Sequence, residues 1–338
     1  MLVVGQSGVH MVKLVTFGET LVQHNADYIG QYDPDGSYTW HVAGAESNVA
    51  IDLRKLMPDR VRAVWVSRLG ADDDGDTIME DLVRRIEVHA PRVSGEKTGI
   101  QLLNHLGGGE VIRRYRRAGS AASRLTAGEV LPHLEGADLL HVTGITPALS
   151  ETCMEATLGV MAAAREMGIP VSMDVNYREA LWSPAEACAV CDRMREYATL
   201  FKVGHDEAET IWGGDMTASE RASRFVSGST RLAIVTTGDS GAVAFDGEQV
   251  VEHGGFSVEV VDPVGAGDAF VAGALAGIFQ RGTMLDFLAL PSDERASVLQ
   301  TALELGNACG ALVCTRHGDT EAMPDMNQVR EFIADTGH

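Results

Sequence analysis

The chain is short of cysteine, lysine, aromatic residues and long apolar runs, and each shortage removes a class of protein. Five cysteines in 338 residues, with no secretory signal ahead of them, argue against a disulfide scaffold and predict reduced thiols in a cytoplasmic enzyme. Cys188 and Cys191 form a C-x-x-C, but Pro184 to Tyr197 reads as a helix, where that spacing sets two small apolar residues on one face. No second pair completes a zinc site, and the eleven histidines include no H-E-x-x-H. No apolar run approaches the roughly 20 residues of a membrane span. The N-terminus has neither a basic segment nor a cleavage site, so residues 1–11 read as a disordered extension before a first strand at Val12.

Positive charge is scarce too. Asp and Glu number 48 against 27 Lys and Arg, a net charge of -21, which excludes broad non-specific binding to nucleic acid or anionic membrane and leaves room for a local basic pocket. None of the lysines Lys13, Lys55, Lys97 and Lys202 follows a G-x-x-x-x-G loop, so a Walker-type site is excluded. A dinucleotide fold needs its glycines after the first strand. Here Phe17-Gly18-Glu19-Thr20 stands in that place, which weakens a dehydrogenase reading.

The residues that are present alternate between two periods. Strand-like runs at Leu14 to Phe17, Arg62 to Ser67, Leu139 to Thr143, Val171 to Asp174, Leu200 to Val203, Leu232 to Thr236 and Ala242 to Phe245 are mostly separated by helical patterns. Those helices cover Ser47 to Leu56, Asp76 to Arg85, Ser150 to Met167, Ala185 to Tyr197 and Ala218 to Ser227. This predicts an α/β domain with a mainly parallel sheet and ligands at the carboxyl ends of its strands. Two segments break the rhythm. Gln23 to Val42 turns at Asp33-Pro34-Asp35-Gly36, and Thr98 to Arg117 reads as a hairpin around Gly107-Gly108-Gly109; together they predict a small β-sheet lid.

The richest stretch is Asp262-Pro263-Val264-Gly265-Ala266-Gly267-Asp268. Its glycines open backbone N–H groups where an apolar helix begins, a place suited to phosphate, with Asp268 facing whatever attacks it. The competing reading is a tight strand-to-helix turn with Asp268 as N-cap.

This stretch resembles the D-T-x-G-A-G-D pattern of the PfkB, or ribokinase-like, carbohydrate kinases, with Pro263 at the usual threonine. Gly44-Ala45-Glu46-Ser47-Asn48-Val49-Ala50 looks like their N-terminal glycine motif, and order and spacing agree from Val12 to about Pro324. The subgroup most similar to the chain is the 2-keto-3-deoxygluconate kinases, through Ala43 to Ala50, Tyr115 to Leu125, and Asp174-Val175-Asn176-Tyr177-Arg178 with Leu181-Trp182-Ser183. The resemblance implies a three-layer α/β/α ribokinase-like domain over residues 12–325, with lid segments near 23–43 and 97–118. It implies Asp268 as the base for a sugar hydroxyl that attacks ATP, and Gly265, Ala266 and Gly267 N–H groups on the phosphoryl charge.

Gly44, Asn48, Tyr115, Arg117 and Arg178 are then expected at the sugar, the two arginines matching a carboxylate. Asn48 read alone is also a helix cap, and either arginine alone a surface ion pair. Thr236, Gly238, Gly241 and Asn307 are expected at the nucleotide. Glu207 resembles the acid that organises water around Mg2+, with Gly204 where the family has asparagine. A K+ site near the 262 loop is left open. Arg116 and Gln101 depart from the subgroup and bear on which sugar is used. A kinase for 2-keto-3-deoxygluconate is the first expectation. Another ketose or sugar-acid kinase is the second, and a sugar-binding protein without turnover the third. An exposed lid edge predicts a homo-oligomer.

Overall fold

Strand Val12–Phe17 (β1) shows why the sequence builds layers. Val12 and Leu14 enter one core, Val15 and Phe17 the other, and all four are fully buried. Each such side chain contributes about 1.5–3 kcal/mol of burial, so a one-residue slip of register is strongly opposed. The computed structural model describes residues 10–107 and 110–336. After β1 come β2 (Leu21–Ile29), β3 (Tyr38–Ala43), β4 (Val61–Val66), β5 (Leu69–Gly70), β6 (Glu87–His89), β7 (Arg92–Val93) and β8 (Ile100–Gly107). They are followed by β9 (Glu110–Arg116), β10 (Leu139–Thr143), β11 (Val171–Asp174), β12 (Leu200–Gly204), β13 (Leu232–Thr236), β14 (Ala242–Phe245) and β15 (Val250–His253).

The main sheet runs β15-β14-β13-β12-β11-β10-β1-β4-β6. It is parallel from β13 to β6, as the alternation predicts, and β14 and β15 close one edge antiparallel. Helices Ala45–Leu56, Ala266–Phe279 and Ser292–Cys314 cover one face, and Glu151–Glu166, Pro184–Arg195, His205–Trp212 and Ala218–Phe225 the other. Cys188 and Cys191 both sit in helix Pro184–Arg195, where Cys191 is buried in the core and burial pushes its thiol well up.

The two segments outside the alternation pair with each other in the order β3-β2-β8-β9. β2 and β3 form one antiparallel hairpin and β8 and β9 another, while β2 and β8 run parallel. The turn at Asp33 to Gly36 closes through the Gly36 N–H donating to the Asp33 carbonyl at 3.1 Å. This sheet begins at Leu21, two residues before the expected segment: Leu21 and Val22 are both buried and pair with Ala43 and Val42. Gly108 and Gly109 lie outside the described residues, as does the expected extension except for His10 and Met11.

Candidate active site

Gly265 starts the site. Its φ of 80° is left-handed, a conformation glycine adopts freely, and helix Ala266–Phe279 follows at once. Asp268 therefore falls in the first helical turn. Its side chain does not cap the helix, since Gly265 holds the N-cap position without a side-chain bond. Instead Asp268 faces two amides from distant segments: Asn48 Nδ2 donates to Oδ2 at 2.9 Å, and Asn176 Nδ2 donates to Oδ1 at 3.2 Å. Burial raises the Asp268 pKa, while Asn48, Arg178, Lys202 and Asn176 favour its ionised form. That combination gives a carboxylate ready to take a proton.

Asn48 lies one turn into helix Ala45–Leu56 and serves two purposes. Its Oδ1 accepts from the Gly44 N–H at 3.4 Å, and its amide also donates to Asp319 Oδ2 at 3.2 Å. Asn176 holds the left-handed φ of 44° just beyond β11, a strained position tolerated by asparagine and frequent at functional sites. Asp319 is a second, half-buried carboxylate here. Burial and the nearby Asp268 charge push its pKa up to about 7.

Asp268, Gly44, Asn48, Tyr115, Arg117 and Arg178 all line one cavity of about 520 Å³ under the second sheet. Arg113, Tyr115 and Arg117 face it together because alternate residues of β9 share a side. Arg117 is already engaged: its Nε and Nη2 both lie 2.6 Å from Glu19 Oε2, and Ser120 Oγ donates to Glu19 Oε1 at 2.5 Å. Arg113 was not foreseen from the sequence, although β9 periodicity alone groups it with Tyr115 and Arg117. Arg116 faces away, its guanidinium 5.4 Å from the Tyr32 ring centroid. Gln101 is buried in the cavity wall.

A second cavity, of about 540 Å³, takes in Thr236, Gly238, Gly241 and Asn307, with Phe256, Phe270, Gly310 and Cys314 among its walls. Gly238 and Gly241 have φ of 63° and 103°, which form the tight turn Gly238–Ser240 after β13. Asn307 fixes this region by donating to the His253 and Gly254 carbonyls at 3.2 and 3.1 Å. Pro263 and Gly267 line both cavities, and Ala266 faces the second. The 262–268 loop is thus a shared wall.

Glu207 also lines the first cavity. Its two oxygens accept from the Tyr177 N–H and the Gly204 N–H, each at 2.8 Å, which fixes the carboxylate without using all its lone pairs. Among the described residues no group of three His, Cys, Asp or Glu side chains is arranged to hold a metal ion. A cation held through water and phosphate oxygens suits such a site, because Mg2+ dehydrates reluctantly and keeps several waters.

Residues 11–326 match the family described as pfkB family carbohydrate kinase. The chain belongs to that family. It is a carbohydrate kinase. It is 32% identical to the 2-dehydro-3-deoxygluconokinase of Bacillus subtilis, over 95% of both chains. It is 30% identical to the 2-dehydro-3-deoxygalactonokinase of Haloferax volcanii, over 91% of this chain and 92% of that one. A fructokinase from Vibrio cholerae O395, solved with fructose, ADP and a potassium ion, superposes with a TM-score of 0.78 at 25% identity, covering 96% of this chain and 99% of the other. Such neighbours share the ribokinase-like fold, so the layered sheet and its small companion sheet are those of a PfkB kinase.

Proposed function

We propose that this kinase transfers the γ-phosphoryl of ATP to a sugar acid, with 2-keto-3-deoxygluconate as substrate and its 6-phosphate as product. The observation that carries the reading is the wall common to both cavities: Gly267 faces each, and Asp268 opens on the first. A sugar hydroxyl beside Asp268 gives its proton to the carboxylate as its oxygen attacks the γ-phosphorus of ATP lying in the second cavity. The O–P bond forms, the bond to the bridging β–γ oxygen breaks, and ADP leaves with that electron pair. The N–H groups of Gly265, Ala266 and Gly267 at the helix N-terminus lie where negative charge grows.

Arg178 and Arg113 supply the planar, two-pronged donors that a carboxylate accepts, and Gly44, Asn48, Tyr115 and Asp319 surround the ring and hydroxyls. Mg2+ bound to the phosphates would screen their charge, with Glu207 holding its water shell. For K+ we propose the neighbourhood of the 262 loop. A cytoplasmic location agrees with its use of ATP. The second sheet acts as a lid, and its edge strands β3 and β9 join copies of the chain into a homo-oligomer.

A neutral ketose such as fructose is the second reading. It is favoured by Glu19, which already occupies the Arg117 guanidinium and leaves less positive charge for a carboxylate. The test is ADP release from purified protein with 2-keto-3-deoxygluconate, 2-keto-3-deoxygalactonate, fructose and nucleosides. A sugar acid should give the highest kcat/KM. A higher value with fructose replaces the first reading by the second, and ADP release no faster than without acceptor removes both.

A further inference from the structure

Lys202 has no role in the reading above, yet it stands at the point where the two cavities meet. It is the middle residue of β12, is 6% exposed and lines the sugar-side cavity. Its Nζ is 3.6 Å from where a Cβ on Gly267 would lie, and Gly267 belongs to both cavities. A phosphoryl group crossing from one to the other passes this ammonium.

Among the described residues one ion pair holds it there, Nζ to Asp174 Oδ2 at 3.0 Å. Asp174 ends β11, beside β12 in the sheet, so the pair bridges neighbouring strands at their carboxyl ends. Burial pulls the lysine pKa down, but Asp174 and Glu207 outweigh it and the net shift is upward. Burial pushes Asp174 up to about 6, which still leaves it ionised at pH 7. The second Asp174 oxygen, Oδ1, is buried with no hydrogen-bond partner among the described residues. Two of the three Lys202 ammonium protons have no side-chain or backbone acceptor within reach in the described structure beyond Asp174. Lys202 lines the cavity, where water or an anionic guest can complete those donors.

We propose that Lys202 is a further catalytic residue: its ammonium, aimed by Asp174 as a positioning residue, neutralises the phosphoryl group in transit between ATP and the sugar. The chain thereby recovers, from a strand end, the point charge that a Walker lysine gives other kinases. The step itself is unchanged. The sugar oxygen bonds the γ-phosphorus, the bridging oxygen departs on ADP, and the proton goes to Asp268; Lys202 keeps its proton and lends only charge and N–H donors.

This inference rests on the kinase reading, and turnover by the unaltered protein with its best sugar tests that reading separately. Against that rate, Lys202→Met should lower kcat about 100- to 1,000-fold, the scale of losing one preorganised donor to a transition state. KM for sugar and for ATP should stay within about threefold, since the contact strengthens only as charge develops. The unaltered protein should also form a tight complex with ADP, Mg2+, sugar and aluminium fluoride, a mimic of the phosphoryl in flight. Lys202→Met should weaken aluminium fluoride binding at least tenfold and leave ADP binding unchanged. Should the unpaired Asp174 unfold that variant, Lys202→Met with Asp174→Asn removes both charges and carries the same expectations. Either variant overturns the proposal if it folds with kcat within threefold of the unaltered protein. So does a folded variant that loses kcat but binds aluminium fluoride as tightly as before.

Discussion

Asp268 and Asn48 lie 220 residues apart in sequence and 2.9 Å apart in space, and the proposed chemistry depends on that meeting. Replacing Asp268 by Asn removes the proton acceptor with little change of volume. We expect kcat to fall about 10²- to 10⁴-fold while sugar affinity, read by titration calorimetry, moves little; near-normal turnover removes the base. The pH profile follows from the sign of the shift. As the proposed base Asp268 acts only when ionised and burial raises its pKa, so kcat should fall on acidification above the ordinary aspartate range near about 3.9. Asn48 favours the ionised form, so Asn48→Ala should move this acidic limb to higher pH at saturating sugar; a limb that stays in place denies Asn48 the part. The sequence made Asp268, Asn48 and the glycines legible because they sit in compact motifs. Asp319 was not legible: it belongs to a polar stretch without period, and reaches Asn48 across 271 positions. An acidic partner for Arg117 was legible as an alternative, but nothing local marks it as Glu19, whose side chain is 0% exposed.

At the scale of elements, two helices frame the second cavity, the proposed nucleotide site, by touching almost backbone to backbone. A Cβ on Gly273 would come within 2.6 Å of the Leu305 carbonyl oxygen, and one on Gly306 within 2.9 Å of the Phe270 ring. Helix Ala266–Phe279 therefore packs close on helix Ser292–Cys314, and their walls face the cavity through Phe270, Asn307, Gly310 and Ala311. Gly273→Ala should cost about 1–3 kcal/mol by overpacking. Urea unfolding measures that loss, and steady-state kinetics should show KM for ATP rising more than KM for the sugar. Unaltered stability would mean that the helices part without strain. The central strands were legible to within about two residues because their apolar runs are short and bounded. Strand β15 was missed. Only Val251 of its four residues is buried, so the run Val250–His253 lacks the apolar signal its neighbours carry.

At the scale of the whole molecule, the second sheet offers edges at β3 and β9, and Trp40 on β3 is 55% exposed. Apolar surface at a sheet edge invites another chain. Sedimentation should find a dimer or larger assembly, and Trp40→Lys should shift it towards monomer; a monomer at every working concentration counts against lid-mediated assembly. The shared wall at 262–268 has a further consequence. Apart from that wall and Asp319, the residues around the sugar-side cavity all come from position 207 or earlier, while those around the nucleotide cavity come from position 236 or later. The gene is thus divided as the two cavities are. On the proposed assignment, changes in its first two thirds retune which sugar is accepted while the nucleotide side keeps its shape, and one loop of seven residues keeps the two vocabularies in one sentence.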